Sequence, residues 1–164
     1  MRLTRVAALA ACLALAPAAA VEPGSAAPSL SLVSLRAGEP AIALQQLRGR
    51  VVYVDFWASW CVPCRASMPA LDSLSRRFGP QGFVVVGVNK DASREEAERF
   101  LRRVPVSFPL VSDAEDAAAR AFGVKAMPSG YLLDRAGVVR HVHRGFTPQT
   151  AAVIEREVAA LLAP

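Results

Sequence analysis

The chain has 164 residues, of which 53% are hydrophobic and 20% are charged. This length suits one domain with a sizeable core. The net charge of +5 is spread along the chain without a basic block that alternates with aromatic residues, which argues against a nucleic-acid-binding protein.

The first twenty residues have the composition of a secretory signal peptide. Residues 1–5 include two arginines, residues 6–15 form an apolar run, and residues 18–20 are alanines that offer a cleavage site before Val21. The apolar run is too short for a stable membrane span, although an uncleaved anchor is the alternative interpretation. We therefore predict a signal peptide over residues 1–20 and export of the remaining chain.

Cys12 is one of three cysteines in the chain. With residues 9–11 it resembles a lipoprotein cleavage box, so a lipoprotein is a further alternative, but the apolar run continues beyond it. Cleavage near Ala20 would leave Cys61 and Cys64 as the only cysteines. Export would place this pair in a compartment where disulfides persist.

A stretch of small residues and prolines precedes the first predicted strands. Residues 21–28 have the composition of a flexible leader, ahead of a domain over residues 29–164. Apolar residues alternate with other residues on both sides of the turn sequence 36–39, which predicts a hairpin. They are Leu30, Leu32, Ile42 and Leu44.

A buried strand followed by a helix surrounds the two remaining cysteines. Residues 51–57, VVYVDFW, form a near-continuous apolar run that is typical of a strand buried on both faces. Apolar residues three or four apart then predict a helix, which Gly79 and Pro80 end. They are Met68, Leu71, Leu74 and Phe78. The dithiol therefore lies where a strand turns into a helix.

This position has consequences for the two thiols. The first turn of a helix has unpaired N–H groups and a partial positive charge, which stabilise a thiolate. We expect Cys61 to be the first helical residue or the cap, and Cys64 to lie one turn further on and more buried. The spacing predicts one attacking and one resolving thiol. A structural or metal-binding cysteine pair is the alternative.

The next elements predict a parallel sheet and an insertion. Residues 83–88 form a second buried strand, and the helix between the two strands indicates a right-handed βαβ unit. Ser93 and Glu96 form a capping box for another helix. Residues 108–111 then form a short extended segment.

The C-terminal third predicts two more helices and a hairpin. Ser112 and Glu115 predict the start of one helix. Residues 131–133 and 138–143 flank a turn that contains glycine, which predicts an antiparallel hairpin. Thr147 caps the last helix.

The stretch from Asp55 to Arg65, DFWASWCVPCR, resembles the active-site sequence of thioredoxins. Its continuation over residues 65–69, RASMP, is similar to the TlpA/ResA-like branch, exported thiol-disulfide oxidoreductases that include cytochrome c maturation proteins. The resemblance extends from about residue 27 to the end. It implies an α/β thioredoxin-like fold with a central mixed sheet flanked by helices, an N-terminal hairpin extension and an inserted helix–strand element.

The resemblance implies roles for three residues in the chemistry. Cys61 attacks a substrate disulfide, and Cys64 resolves the mixed disulfide. Asp55, whose pKa burial should raise, acts through water as proton acceptor for Cys64. A carboxylate that is bonded only to nearby backbone is the alternative interpretation.

The resemblance also implies the residues that bind substrate. Trp60, Val62 and Pro63 hold the mixed disulfide. Pro128 ends a loop that resembles the family's cis-proline loop, which faces the dithiol, and the main chain of Met127 pairs with a substrate strand. An ordinary trans turn is the alternative.

Three positions depart from the family pattern. Ser67 stands where TlpA-like proteins often have glutamate, and Gly87 aligns with a thioredoxin lysine. Met127 stands where threonine is frequent. We therefore expect proton handling to depend on Asp55 alone.

The favoured function is a periplasmic reductase of protein disulfides, in cytochrome c maturation or related metalloprotein assembly. The resemblance implies no cofactor, a membrane thiol electron donor of the DsbD/CcdA type and protein substrates with disulfides, and we expect a monomer. A disulfide-donating oxidase is the second enzymatic hypothesis.

A non-enzymatic copper or zinc chaperone is the third hypothesis. His141 and His143 lie two residues apart and in principle join Cys61 and Cys64 in a metal site. We expect instead that both histidines are exposed strand residues, and we predict no metal site.

Overall fold

The computed structural model describes residues 21–163. The predicted signal peptide over residues 1–20, with Cys12, lies outside the described residues. Between residues 21 and 163, no helix combines the length and the apolar character that crossing a membrane requires.

Strands of the described chain form a small and a large sheet. They are β1 (Ser31–Leu32), β2 (Ile42–Ala43), β3 (Val51–Trp57), β4 (Phe83–Asn89), β5 (Leu110–Ser112), β6 (Ser129–Leu133) and β7 (Val139–Arg144). β1 and β2 pair antiparallel, and the large sheet has the order β5-β4-β3-β6-β7. β3, β4 and β5 are parallel, whereas β6 and β7 add antiparallel pairs. The predicted central mixed sheet is confirmed.

Helices cover both faces of the large sheet. They are α1 (Cys64–Phe78), α2 (Arg94–Leu101), α3 (Ala117–Phe122) and α4 (Pro148–Leu162). Side chains of α1, α2 and α4 share one core with alternate residues of β3, namely Val51, Tyr53 and Trp57. Side chains of α3 and the N-terminal segment share the other core with Val52, Val54 and Phe56. Successive residues of a strand point to opposite faces, so β3 serves both cores.

β3 is the central strand of the large sheet, and all seven of its residues are buried. Burying an aliphatic or aromatic side chain stabilises the fold by roughly 1.5–3 kcal/mol, which explains the apolar sequence. Asp55 is the one carboxylate in this strand, and by alternation it shares a face with Tyr53 and Trp57. Burial of an unpaired charge is costly, so this residue requires a functional explanation.

The predicted N-terminal hairpin is confirmed, but each strand has only two residues. The segment between them runs along β5 at the edge of the large sheet. The N–H of Leu35 donates to the carbonyl of Leu110 at 2.8 Å, and the N–H of Ser112 donates to the carbonyl of Val33 at 2.9 Å. The connection therefore covers an edge that would otherwise expose unpaired backbone groups.

Residues 21–28 are bound to the β6–β7 hairpin, so the predicted flexible leader is wrong for this part of the chain. The N–H groups of Gly24 and Ala27 donate to the carbonyls of Val139 and Gly137 at 2.8 and 2.9 Å. The N–H of Val139 donates in turn to the carbonyl of Ser25 at 2.8 Å. Composition missed this pairing because main-chain hydrogen bonds need no particular side chain.

The insertion between β4 and α3 consists of α2 and β5, as predicted. The hydroxyl of Ser93 accepts the N–H of Glu96 at 3.4 Å, which confirms the cap of α2. The predicted cap of α3 is wrong: Asp113, rather than Ser112, accepts the N–H groups of Ala118 and Ala119, each at 2.8 Å. A carboxylate has two oxygens and accepts one helical N–H group at each, whereas a hydroxyl has a single oxygen.

Candidate active site

Cys61 and Cys64 form a disulfide between the end of β3 and the start of α1, with their Cα atoms 5.3 Å apart. Cys64 is completely enclosed, and Cys61 is 4% exposed. As predicted, the second cysteine is the more buried. Both sulfur atoms belong to the core between the sheet and α1, on the same face of the sheet as Tyr53 and Trp57.

The helix starts three residues later than expected, so Cys61 is neither its first residue nor its cap. Cys64 is the first residue of α1 and Pro63 precedes it as the cap. Cys61 lies in the preceding turn, where its carbonyl accepts the N–H of Cys64 at 3.2 Å. Pro63 explains the offset, because it has no N–H to donate and its φ of −66° suits the entry to a helix.

Asp91 holds the segment that leads to the cysteines. Its carboxylate accepts the N–H of Ser59 at 3.1 and 3.0 Å and the hydroxyl of Ser59 at 2.9 Å. The side-chain amide of Asn89 donates to the same carboxylate at 2.8 Å. The sequence prediction missed Asp91. The available signal was a polar run directly after β4, because the carboxyl ends of parallel strands meet at one edge of a sheet.

An exposed apolar patch surrounds the disulfide. Trp60 is 64% exposed and Val62 is 70% exposed, and Pro63 between Val62 and Cys64 is also exposed. Large apolar side chains at this exposure are typical of interaction sites when they cluster. The three predicted substrate-binding residues of the motif are therefore accessible to another protein.

A groove of about 740 Å³ joins Trp60 to Met127. The Met127–Pro128 peptide bond is cis, as the resemblance implied. Met127 is half-buried, and its main-chain N–H and carbonyl make no hydrogen bond with residues 21–163. The main chain at Met127 is thus available for pairing with an extended peptide.

A second groove, of about 390 Å³, lies beside the motif. Three arginines, Arg65, Arg99 and Arg103, line it together with Glu96 and the apolar side chain of Phe100. Ser59 also lines this groove, which places the arginines beside the loop that carries the cysteines. The sequence prediction did not identify this group because Arg65 lies far along the chain from the other two.

Asp55 is 2% exposed, and its Oδ2 atom has no hydrogen-bond partner among the described residues. Burial alone raises the pKa of this carboxyl from 3.8 to about 8. A carboxyl with such a pKa exchanges protons near neutral pH, where acid–base catalysis is most effective. The alternative interpretation, a carboxylate that is bonded to nearby backbone, does not apply to the Oδ2 atom of Asp55.

Two positions that depart from the family pattern, Gly87 and Ser67, place no charged side chain beside Asp55 or Cys64. Gly87 is paired with Asp55 across β3 and β4, so no side chain, and hence no lysine, reaches Asp55 from that position. Ser67 is buried, and its hydroxyl donates to the carbonyl of Cys64 at 3.3 Å. A neutral hydroxyl therefore stands where relatives often have a second carboxylate.

The expectation of two exposed strand histidines is wrong for His143, whose side chain is 10% exposed. His143 contacts Tyr53 and Glu157, and His141 contacts Glu157. Across residues 21–163, no three His, Cys, Asp or Glu side chains are arranged to share a metal ion. Both histidines lie against Glu157 of α4.

Comparison with known proteins places this geometry in a family. The Redoxin family model matches residues 22–162. The chain belongs to the Redoxin family. Within this family, the chain is 32% identical over 142 residues to the thiol-disulfide oxidoreductase ResA of Geobacillus kaustophilus. The aligned region covers 87% of this chain and 79% of that protein.

Other relatives of this Redoxin-family chain are also thioredoxin-like. The chain is 34% identical over 128 residues to the thioredoxin-like protein YneN of Bacillus subtilis, and the aligned region covers 76% of this chain and 73% of that protein. A crystal structure of a candidate DsbE thiol:disulfide interchange protein from Chlorobium tepidum superposes with a TM-score of 0.83. That match has 38% identity and covers 88% of this chain and 100% of that one.

These comparisons, together with the disulfide, define the activity. The Redoxin-family chain is a TlpA/ResA-like member of the thioredoxin superfamily with a thioredoxin-like fold. It is a thiol-disulfide oxidoreductase whose redox centre is the Cys61–Cys64 pair and whose substrates are proteins that carry disulfides.

Proposed function

We propose that this oxidoreductase is an exported, periplasmic reductase of protein disulfides. Its substrates would be proteins of cytochrome c maturation or of related metalloprotein assembly, as the resemblance to the TlpA/ResA-like branch implies. The observation that carries the proposal is the Cys61–Cys64 disulfide, which lies under an exposed apolar patch beside a groove with free main-chain groups at Met127.

In the proposed reaction, the thiolate of Cys61 attacks one sulfur of the substrate disulfide. A Cys61–substrate bond forms, and the other substrate sulfur leaves as a thiolate that takes up a proton. Cys64 then gives its proton to Asp55, directly or through water, and its thiolate attacks the sulfur of Cys61. The substrate leaves with two thiols, and the two electrons it gained come from the oxidation of Cys61 and Cys64 to a disulfide.

Substrate binding in this proposal uses both sides of the motif. Trp60, Val62 and Pro63 pack against the substrate around its disulfide, and the main chain of Met127, before the cis Pro128, pairs with an extended substrate segment. Main-chain pairing of this kind gives affinity with little sequence preference. The protein acts as a monomer without a cofactor, and a membrane thiol carrier of the DsbD/CcdA type reduces it again.

The decisive experiment is the reduction potential of the Cys61–Cys64 pair, measured on residues 21–164 by equilibration with a dithiol buffer. A reductase should have a potential of roughly −220 mV or lower. A potential near about −120 mV would contradict the reductase direction and identify a disulfide donor. Retention of copper or zinc without disulfide formation would identify the metal chaperone instead.

The individual roles of the cysteines have a separate test. Cys64→Ser should stop the reaction at the mixed disulfide, because the resolving thiol is absent, and should accumulate a covalent complex with a disulfide-containing protein. Cys61→Ser should accumulate none, because the enclosed sulfur of Cys64 cannot reach a substrate. Equal trapping by the two variants, measured by non-reducing electrophoresis, would contradict the assignment of Cys61 as the nucleophile.

A further inference from the structure

A row of paired residues crosses the sheet from Asp55 on β3 to His143 on β7, which contacts α4. Asp55 pairs with Gly87 on β4 and with Gly130 on β6, and Gly130 pairs with His143 on β7. The four positions therefore form one row, and the only side chains in it belong to Asp55 and His143. The glycine between them leaves room above the sheet.

The hydroxyl of Tyr53 fills this room. A Cβ atom on Gly130 would overlap the Tyr53 hydroxyl, so the phenol lies across the glycine, between Asp55 on one side and His143 on the other. Tyr53 is on the same strand as Asp55, two residues earlier and on the same face. It is 2% exposed, and its ring stacks on His143 with the ring centroids 5.8 Å apart.

From Tyr53 one hydrogen bond and two histidine–carboxylate contacts within ion-pair distance lead to the surface. The Tyr53 hydroxyl lies 3.3 Å from Nδ1 of His143. Nε2 of His143 lies 2.8 Å from Oε2 of Glu157 on α4, and Oε1 of Glu157 lies 3.1 Å from Nδ1 of His141. Side-chain exposure rises along the series, from 10% at His143 to 20% at Glu157 and 41% at His141.

The protonation states of these groups suit proton transfer. Burial, followed by the charges of Asp55 and Glu157, raises the pKa of Tyr53, so its hydroxyl keeps its proton and can donate it to Nδ1 of His143. Burial lowers the pKa of His143 in spite of the opposing charge of Glu157. The neutral imidazole then accepts at Nδ1 and carries its proton at Nε2, facing Glu157.

Other titratable groups do not offer a shorter connection. The groups in the core on this face and in the contact series are Tyr53 of β3, Cys61 before α1, Cys64 at its first position, His141 and His143 of β7, and Glu157 of α4. Among the other charged groups of α1 and α4, Asp72 contacts Ser107 and Arg76, and Arg77 contacts Glu155. β4 and β6 contribute glycines beside Asp55. Asp55 itself is buried, so a proton that it exchanges with Cys64 must cross the protein interior to reach solvent.

We propose that Tyr53, His143, Glu157 and His141 form a proton path between Asp55 and the protein surface. The inference rests on the proposed role of Asp55 as proton partner of Cys64. When Cys61 and Cys64 are oxidised to the disulfide, Cys64 gives its proton to Asp55. Asp55 then passes a proton, directly or through water, to the oxygen of Tyr53, while Tyr53 gives its own proton to Nδ1 of His143, His143 gives its Nε2 proton to Glu157, and Glu157 releases it to His141 or solvent. One proton leaves for each proton that Cys64 loses, and reduction of the disulfide uses the same path in reverse.

The test uses reduction of the Cys61–Cys64 disulfide by dithiothreitol, followed by tryptophan fluorescence in a stopped-flow instrument. Tyr53→Phe removes the hydroxyl and keeps the ring. We expect the rate at pH 7–8, corrected for the thiolate fraction of dithiothreitol, to fall about tenfold, with an altered solvent deuterium effect. Glu157→Gln, further along the path, should slow the reaction in the same pH range.

Tyr131→Phe is the matched control. Tyr131 is also 2% exposed, but it belongs to the core on the opposite face of the sheet, where its hydroxyl donates to the carbonyl of Phe122 at 3.0 Å. Its loss should lower stability without changing the pH profile of reduction. The reduction potential at pH 7 should stay the same in all three variants, because a path changes rates and not equilibria.

The proposal is overturned if Tyr53→Phe reduces within about twofold of the wild-type rate from pH 6 to pH 9, or if Tyr131→Phe is slowed equally. Normal rates for Glu157→Gln would also overturn it. These results do not depend on a protein substrate. A failure of the proposed reductase function would instead be visible as a high reduction potential with an intact difference between Tyr53→Phe and Tyr131→Phe.

Discussion

Asp55 should make the stability of the oxidised protein depend on pH. Its pKa is about 8 in the folded state and 3.8 as the ordinary value, so the folded state binds a proton that the unfolded state releases between these values. The stabilising effect is complete below about pH 4 and is lost as pH rises through about 8. Asp55→Asn lacks this dependence and should therefore be more stable than the wild type at alkaline pH, by about 6 kcal/mol at most.

The measurement is urea unfolding of both proteins, with the disulfide intact, at pH 5 and at pH 8.5. The difference in the free energy of unfolding should be clearly smaller at pH 5 than at pH 8.5 and should grow with pH between them. The same substitution should slow resolution of the mixed disulfide, so stability and activity change in opposite directions, as is common for functional sites. A constant difference across this pH range would contradict the assigned pKa.

The residues of the motif were predictable because each has a local signal. A dithiol, a flanking tryptophan and a buried aspartate are all contained in residues 55–64. Tyr53 and His143 have no such signal, because they are 90 residues apart and meet only through the β3–β6–β7 register. For the same reason, the sequence predicts an exposed His143, because alternation along β7 does not reveal that α4 covers this residue.

Strands and helices are predictable from the sequence where their side chains follow the apolar pattern of the secondary structure. The buried strands and the amphipathic helices have the apolar period that their surroundings require. The start of α1 and the pairing of residues 21–28 with β7 were missed, because a proline and main-chain hydrogen bonds, respectively, decide them. The sequence of this chain therefore predicts that a helix or strand is present better than it predicts the residue at which it begins or ends.

Gly130 on β6 leaves the space that the Tyr53 side chain occupies between β3 and β7. Gly130→Ala places a methyl group where the Tyr53 hydroxyl lies. Tyr53 must then move and lose its contact with His143, so we expect a loss of roughly 1–3 kcal/mol in the free energy of unfolding. Chemical unfolding measures this loss, and near-ultraviolet circular dichroism should report the displaced tyrosine.

A double-mutant cycle provides the control for Gly130. In a Tyr53→Leu background, which removes the hydroxyl and part of the ring, the same glycine substitution should cost clearly less, since the two positions are in contact. An equal cost in both backgrounds would mean that Gly130 is required for the backbone and not for Tyr53. A wild-type stability of Gly130→Ala would contradict the overlap altogether.

The distribution of charge over the molecule leads us to expect a preference for acidic substrates. Without Arg2 and Arg5 of the predicted signal peptide, the net charge is +3. Arg65, Arg99 and Arg103 line the groove beside the motif, and none of them forms an ion pair with a carboxylate of residues 21–163. Unpaired positive charge at the entrance of a site accelerates encounter with negative partners.

We therefore expect that peptides with glutamates next to their disulfide are reduced faster than peptides with lysines there, by about three- to tenfold at 0.1 M salt. At 1 M salt the screening length falls to about 3 Å, so the difference should largely disappear. Stopped-flow fluorescence of the reduced protein with each peptide measures both rates. The variant with Arg99→Gln and Arg103→Gln should lose the preference while keeping its reduction potential, because neither arginine contacts the disulfide. A preference that persists in this variant or at 1 M salt would mean that packing around Trp60, and not charge, selects the substrate.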